Sequence, residues 1–290
     1  MEESTPSISI VLPCLNEAAN LVSLLPKLKQ AQPHAEILVV DDGSTDDSAK
    51  ICQQHDIRVV SHPQPLGNGA AIKAGAREAK SDIIVFMDAD GQHQPDDIQS
   101  LLNKLDEGYD MVVGARHSHT HASTKRLIGN TLFNKLASLM TGHKIDDLTS
   151  GFRAVRARHF KKFLYLLPNG FSYPTTSTMA FFRSALPVAY IPIHAGKRDG
   201  KSKIKLLKDG LRFFVIILKI GALFSPMRLF LPTSVLFFLL GVINHISNYL
   251  SSGTFSNGSL LLYTSSVFIF LMGILSEQIS SLHYRNTDKE

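Results

Sequence analysis

The apolar run IIVFM (83–87) ends in Asp88, Ala89 and Asp90, with Gln92 two residues further on. A strand end gives unpaired negative charge poor shelter, so a cation belongs beside it. Side chains two apart on a strand emerge on the same side. Asp88, Asp90 and Gln92 thus offer hard oxygen donors of the kind that Mg²⁺ and Mn²⁺ take. Magnesium keeps several waters and bridges readily to phosphate, so the expected chemistry acts on a phosphorylated substrate. A D-x-D alone is short and common in loops; the apolar strand in front of it gives it weight.

The elements that would carry this motif are legible in the first 115 residues. SISIVLP, EILVVDD, IRVVSH, DIIVFMD and DMVVGAR read as strands. EAANLVSLLPKLKQ (with Pro26 expected to bend it), STDDSAKICQQH, GAAIKAGAREAK and PDDIQSLLNKLDEG read as helices between them. Continuous apolar strands separated by helices predict a mostly parallel sheet covered on both faces. Ligands of such sheets gather at the carboxyl ends of the strands. PCLNE, DDGSTD, DADGQ and GAR follow the first, second, fourth and fifth strands, so four polar strand ends share one crevice. No G-x-G-x-x-G follows the first strand and no G-x-x-x-x-G-K-[ST] occurs, which argues against dinucleotide and P-loop sites. PLGNGAA (65–71) offers either an anion cradle at a helix start or simply a turn, and the turn is the preferred reading.

At 290 residues and a net charge of +5, the chain holds one sizeable domain or two small ones. Leu229 to Ser276 contains no Asp, Glu, Lys or Arg. Two spans, Leu229–Leu250 and Ser259–Ser280, flank SSGTFSNG, and each approaches the roughly 20 residues that cross a bilayer as a helix. A buried hairpin in a soluble core would need more polar surface around it. Nine Lys or Arg lie between Lys197 and Arg228, Arg285 and Lys289 follow the second span, and the connecting loop has none. Positive-inside logic therefore places both ends in the cytoplasm. MEESTPSISI lacks the features of a signal peptide, and Cys14 and Cys52 read as reduced thiols. Along KIKLLKDGLRFFVIILKIGALF, Lys205, Lys208, Arg212 and Lys219 fall within an arc of about 60°, suited to a helix lying in the membrane interface.

VLPCLNE, LVVDDGSTDDS, GNGAAIKAG, VFMDADGQHQP, VVGAR, DLTSGFRAVR and RDGKSK occur in the order found in family 2 glycosyltransferases. The whole chain resembles the polyprenyl-phosphate sugar transferases of that family, which include dolichyl-phosphate mannose synthase and undecaprenyl-phosphate sugar transferases. The resemblance implies a GT-A (Rossmann-like) catalytic domain over 1–204, an amphipathic juxtamembrane segment over 205–228, a transmembrane hairpin over 229–281 and a cytosolic tail over 282–290. It implies a nucleotide pocket lined by Pro13, Asn16 and Glu17, with Asp42 on the base and Asp41 beside it. Asp88 would face the nucleotide, while Asp90 and Gln92 would hold Mg²⁺ or Mn²⁺ on the diphosphate. Arg116 and Arg126 would receive the lipid phosphate, a task that suits the guanidinium fork. Asp147 or its neighbour Asp146 would act on the sugar, and Arg198, Ser202 and Lys203 would close over the diphosphate. Gly91 departs from the bulkier residue of many mannose synthases, which leaves the sugar open. His117, His119 and His121 read as a loop over the acceptor in preference to a transition-metal site.

The implied reaction is inverting transfer from a nucleotide sugar, a UDP-sugar in preference to GDP-mannose, to polyprenyl phosphate in a bacterial inner membrane. A different lipid or glycan acceptor and a membrane-anchored scaffold are the alternatives. A nucleotidyltransferase is disfavoured, because PCLNEAAN is not a Gly- and Arg-rich phosphate loop. Self-association through the spans and a downstream flippase are further partners this reading allows; nucleic acid is not one.

Overall fold

The chain's strands assemble into one seven-stranded sheet, in the order β3-β2-β1-β4-β6-β5-β7. The computed structural model describes residues 7–116, 124–170, 172–193, 219 and 221–285, with backbone alone at 124–130, 132 and 283–285. The strands are β1 (Ile8–Cys14), β2 (Glu36–Asp41), β3 (Arg58–Ser61), β4 (Ile83–Phe86), β5 (Met111–Arg116), β6 (Arg153–Arg156) and β7 (Val188–Ile193). Between the first five run α1 (Ala18–Ala31), α2 (Ser48–Gln54), α3 (Asn68–Glu78) and α4 (Asp97–Asp106). All pairings are parallel except those of β6, which runs antiparallel to both β4 and β5. β4 is buried at all four positions, as a strand covered on both faces must be.

α1 runs through Pro26 without a break and turns Leu21, Leu24, Leu25 and Leu28 into the core. There they meet Ile10, Leu12, Val39, Val85 and the inward leucines of α4. After β5 come α5 (Thr124–Thr141), α6 (Ala157–Lys162) and α7 (Tyr173–Arg183). Nine consecutive residues of α7, Tyr173 to Phe181, are buried.

The chain divides into two compact units, one of residues 1–137 and 143–203, the other of 138–142 and 204–290. The second contains α8 (Pro226–Ser252) and α9 (Asn257–Arg285), both long and apolar enough to cross a membrane. α8 starts three residues before the expected span. The outer faces expose Leu236, Leu239 and Ile243 on α8 and Leu261, Phe268 and Leu275 on α9. Between the helices the contacts are small and polar. Ser234 Oγ donates to the Ser266 carbonyl (3.0 Å) and Ser266 Oγ returns a bond to the Ser234 carbonyl (2.9 Å). Gly241 lies under the Tyr263 ring and Gly273 under Phe230, where an added Cβ would collide. Such close approach at small residues is how helices associate where lipid is the solvent.

Candidate active site

The carboxyl ends of β1, β2 and β3 form one side of the crevice. Pro13 pairs in register with Val40 near the end of β1, and beyond it Asn16 takes a left-handed backbone (φ 58°). Its amide donates to Ser44 Oγ (2.9 Å) and its Oδ1 accepts from Thr45 N (2.8 Å), which ties the first loop to the second. Glu17 donates its amide to Ser48 Oγ (3.1 Å) and accepts from Asn20 Nδ2 (2.6 Å). Asp41 turns the β2 loop by accepting from Ser44 N (2.9 Å). Asp42 is sealed further. Its Oδ1 accepts from Leu66 N (2.9 Å) and lies 2.7 Å from His62 Nδ1, while Oδ2 accepts from Gly67 N (2.8 Å). PLGNGAA serves a turn: Gly69 N and Ala70 N at the start of α3 donate to the carbonyls of Gly170 and Asn169, leaving those amides no anion to cradle.

At the centre, β4 delivers Asp88 and Asp90, both half-buried, with buried Ala89 between them. Gly91 (φ 71°) turns the chain so that Gln92 N reaches back to Asp90 Oδ1 (3.2 Å). Gly151 passes so close that a Cβ there would stand 3.2 Å from Asp88 Oδ2 and 3.1 Å from the Tyr173 hydroxyl. His93 is buried and stacks on Phe152 (centroids 4.9 Å apart, 17° between planes). Burial pushes its pKa down to about 4; the Asp90 charge opposes this and Arg116 adds to it, so the imidazole is neutral at pH 7. Among the described residues no group of three His, Cys, Asp or Glu forms a cage for a metal. Two half-buried carboxylates and an amide nevertheless fit a hard divalent ion that keeps waters and shares substrate oxygens. Asp88, Asp90 and Gln92 would hold it.

On the other side stands Arg116 at the end of β5. Its Nε and Nη2 grip the two oxygens of Asp147 (2.8 and 3.1 Å), and Nη2 also reaches Thr149 Oγ1 (2.7 Å). Burial works against the Asp147 carboxylate, but hydrogen bonds and charge from Arg116, with help from Thr149, hold its pKa below the ordinary range. The two residues expected to contact phosphate and sugar separately therefore form one unit. Nη1 of Arg116 has no hydrogen-bond partner among the described residues and is the end that can meet an anion. Asp146 lies outside this pair: its carboxylate meets Lys144 (2.9 Å). Arg126 (side chain), Arg198, Ser202, Lys203, the three alternating histidines and the basic stripe at Lys205, Lys208 and Arg212 lie outside the described residues.

Three supporting residues escaped the sequence reading. Arg153 is fully buried at the start of β6, donating to the carbonyls of Ser150 and Pro174 and to Ser177 and Thr178 on α7. Tyr173 donates to the Gly151 carbonyl (2.9 Å). Together they fix the 147–153 segment that backs Asp88. His93 is the third. Both His93 and Arg153 sit inside motifs quoted above, GQHQP and SGFRAVR, and only their type in a buried setting marks them out.

The glycosyl transferase family 2 model matches residues 9–164, more than half of the chain. The chain belongs to glycosyl transferase family 2. A second model, the GtrB C-terminal hairpin, matches residues 225–282, the region of α8 and α9. The undecaprenyl-phosphate 4-deoxy-4-formamido-L-arabinose transferase of Shewanella sediminis is 35% identical over 217 residues, which cover 68% of this chain but only 61% of that protein's length. The polyprenol monophosphomannose synthase of Mycolicibacterium smegmatis is 29% identical over 212 residues, covering 67% of this chain and 80% of the relative. Among solved structures, glucosyl-3-phosphoglycerate synthase from Mycobacterium tuberculosis, in complex with Mn²⁺, UDP and glucosyl-3-phosphoglycerate, superposes with a TM-score of 0.61 at 23% identity over 74% of this chain and 80% of that one. That likeness carries the family 2 fold, a GT-A sheet followed here by two apolar helices.

Proposed function

We propose that this family 2 member transfers a sugar from a nucleotide sugar to polyprenyl phosphate, with a UDP-sugar as the favoured donor. The observation that carries the reading is the strand order. Asp88 and Asp90 stand at the end of β4, in the middle of the sheet. The polar loops of β1, β2 and β3 lie to one side and Arg116 to the other, so one crevice offers a diphosphate position between a nucleoside side and a second cationic position. The names of the relatives, transferases to undecaprenyl phosphate and polyprenol phosphate, supply the acceptor class. The neighbouring structure's Mn²⁺ and UDP support the metal and the donor.

A phosphate monoester has a second pKa of about 6, so the acceptor is already an anionic nucleophile near pH 7. Its oxygen attacks the anomeric carbon as the bond to the nucleoside diphosphate breaks, and the electron pair leaves on the diphosphate oxygen. In-line attack inverts the configuration and gives a β-linked product from an α-linked donor. A bound divalent ion would neutralise the leaving diphosphate. Arg116 supplies the acceptor's counter-charge through Nη1. Asp147, gripped by the guanidinium and depressed in pKa, is a poor base and serves to aim Arg116. Arg126 would add to that acceptor site, while Arg198, Ser202 and Lys203 would close over the donor diphosphate. The hairpin would hold the crevice at the bilayer, where the lipid tail stays, with both chain ends cytoplasmic.

The test incubates the full chain in detergent with undecaprenyl phosphate, Mg²⁺ or Mn²⁺ and a panel of sugar nucleotides, and analyses the lipids by mass spectrometry. A metal-dependent lipid-phosphate sugar of inverted configuration is expected. Folded protein that makes none with any donor would overturn the acceptor assignment.

A further inference from the structure

We infer that His62 reads the nucleobase of the donor and that its geometry selects uracil; this rests on the glycosyltransferase reading above. The diphosphate position lies at the end of β4. The next strands outward are β1, β2 and β3, so the end of β3 is three strand spacings away, roughly 14 Å. A ribose and base extending from a diphosphate bridge such a distance. His62 is the first residue after β3, anchored by its own amide to the Asp41 carbonyl (2.8 Å).

The resemblance assigned base contact to Asp42, but that carboxylate is already engaged. Both oxygens accept from Leu66 N, Gly67 N or His62, and the side chain is only 5% exposed. An ionised carboxylate only accepts, so the 2.7 Å contact assigns the proton to His62 Nδ1. In the neutral tautomer with the proton on Nδ1, Nε2 presents a lone pair as an acceptor. Nε2 has no hydrogen-bond partner among the described residues, and the His62 side chain is 13% exposed. Asp42 is thus a positioning residue and His62 the group that can meet a ligand.

A single acceptor discriminates among bases. Uracil offers one N–H, at N3, on its pairing edge. Cytosine places a lone pair at N3 beside its N4 amino donor, so a ring nitrogen facing N3 meets a lone pair, and one that accepts from the amino group leaves N3 unmet. Guanine offers N1–H and the N2 amino group side by side, and one ring nitrogen leaves a donor unmet. A site that satisfies its ligand's polar groups rejects ligands that leave them unpaired. Leu15 and Leu66, both exposed, bracket this place along the chain and provide apolar contact for a flat ring. Leu15 follows Cys14, whose carbonyl accepts from Asp42 N, and Leu66 N is itself bound to Asp42.

The experiment is calorimetry on the full chain in detergent with Mn²⁺, titrating UDP, GDP, CDP and inorganic pyrophosphate. Wild type should bind UDP about tenfold tighter than GDP or CDP, and His62→Ala should lose about tenfold for UDP while pyrophosphate affinity holds. His62→Gln, whose amide oxygen restores an acceptor, should stay within about threefold of wild type. Unchanged UDP affinity in His62→Ala, or a wild-type preference for GDP or CDP, overturns the inference. If His62→Ala also loses pyrophosphate, His62→Gln decides. Near-normal UDP binding by His62→Gln supports the inference; lost UDP binding with pyrophosphate binding intact overturns it. Wild type that binds pyrophosphate but no nucleoside diphosphate more tightly refutes the base reader while leaving the metal site standing. Wild type that binds none of the four overturns the glycosyltransferase reading and this inference together.

Discussion

Arg116 and Asp147 spend most of their hydrogen-bonding capacity on each other, which makes their substitutions separable. Arg116→Lys keeps the charge but loses the fork, and should lower kcat/KM for the lipid phosphate about 10- to 100-fold with donor KM little changed. Asp147→Asn should cost about 2 kcal/mol of stability, read as a lower melting temperature in detergent. The pH dependence of that contribution follows from a folded pKa depressed below the unfolded value of about 3.9. Its stabilisation is complete above about pH 4 and is lost as pH falls through the lower, folded pKa. The melting difference between wild type and Asp147→Asn should therefore be flat from pH 5 to 8 and shrink only in stronger acid. The proposed metal donors Asp88, Asp90 and Gln92 could be picked out because they lie within five residues of one another. The pairing of Arg116 with Asp147 was not, since the partners are 31 residues apart and nothing local encodes the distance between them.

Among the elements, the βα alternation through β5 could be read from continuous apolar runs bounded by turn residues. β6 and β7 could not. β6 has four residues, two of them arginines, and β7 contains Pro192, so neither carries a strand's usual signature. What makes RAVR a strand is its tertiary setting: it fills the gap between β4 and β5, and Nη1 of buried Arg153 donates to Ser177 and Thr178 on α7. Two glycines test the packing of these elements. At Gly69 a Cβ would drive into the Pro168 carbonyl oxygen, a backbone atom that cannot swing aside. Gly69→Ala should thus cost about 3 kcal/mol, measured by thermal unfolding. At Gly151 the neighbours are side-chain ends 3.1–3.2 Å away, so the protein should lose under about 1 kcal/mol. The displaced carboxylate is Asp88, however, so Gly151→Ala should weaken Mn²⁺-dependent donor binding by roughly tenfold.

For the whole molecule, the two long apolar helices were legible from composition, because the 48 residues from Leu229 to Ser276 carry no charge. Their pairing through Ser234, Gly241, Ser266 and Gly273 was not, since small and hydroxyl residues are common in any apolar helix. The proposed topology has a direct check. Cys14 and Cys52 are buried, and burial raises both thiol pKa values, Cys52 to about 11, so background labelling should be low. A Ser256→Cys variant should react with an impermeant maleimide from outside the cell. A cysteine placed after Arg285 should react only once the membrane is opened.

The strand order, with β1 to β4 on one side of the sheet and β5 to β7 on the other, has a consequence for how such a molecule can change. It lets the chain finish one half of the crevice before it begins the other: residues 8–92 lay down β1 to β4 and the carboxylate loop, while 111–193 lay down β5 to β7 with Arg116 and Asp147. A single recombination junction within α4 would exchange one half while leaving the other uncut. Grafting the downstream segment of a relative onto this upstream one should therefore change what receives the sugar without changing which nucleotide brings it.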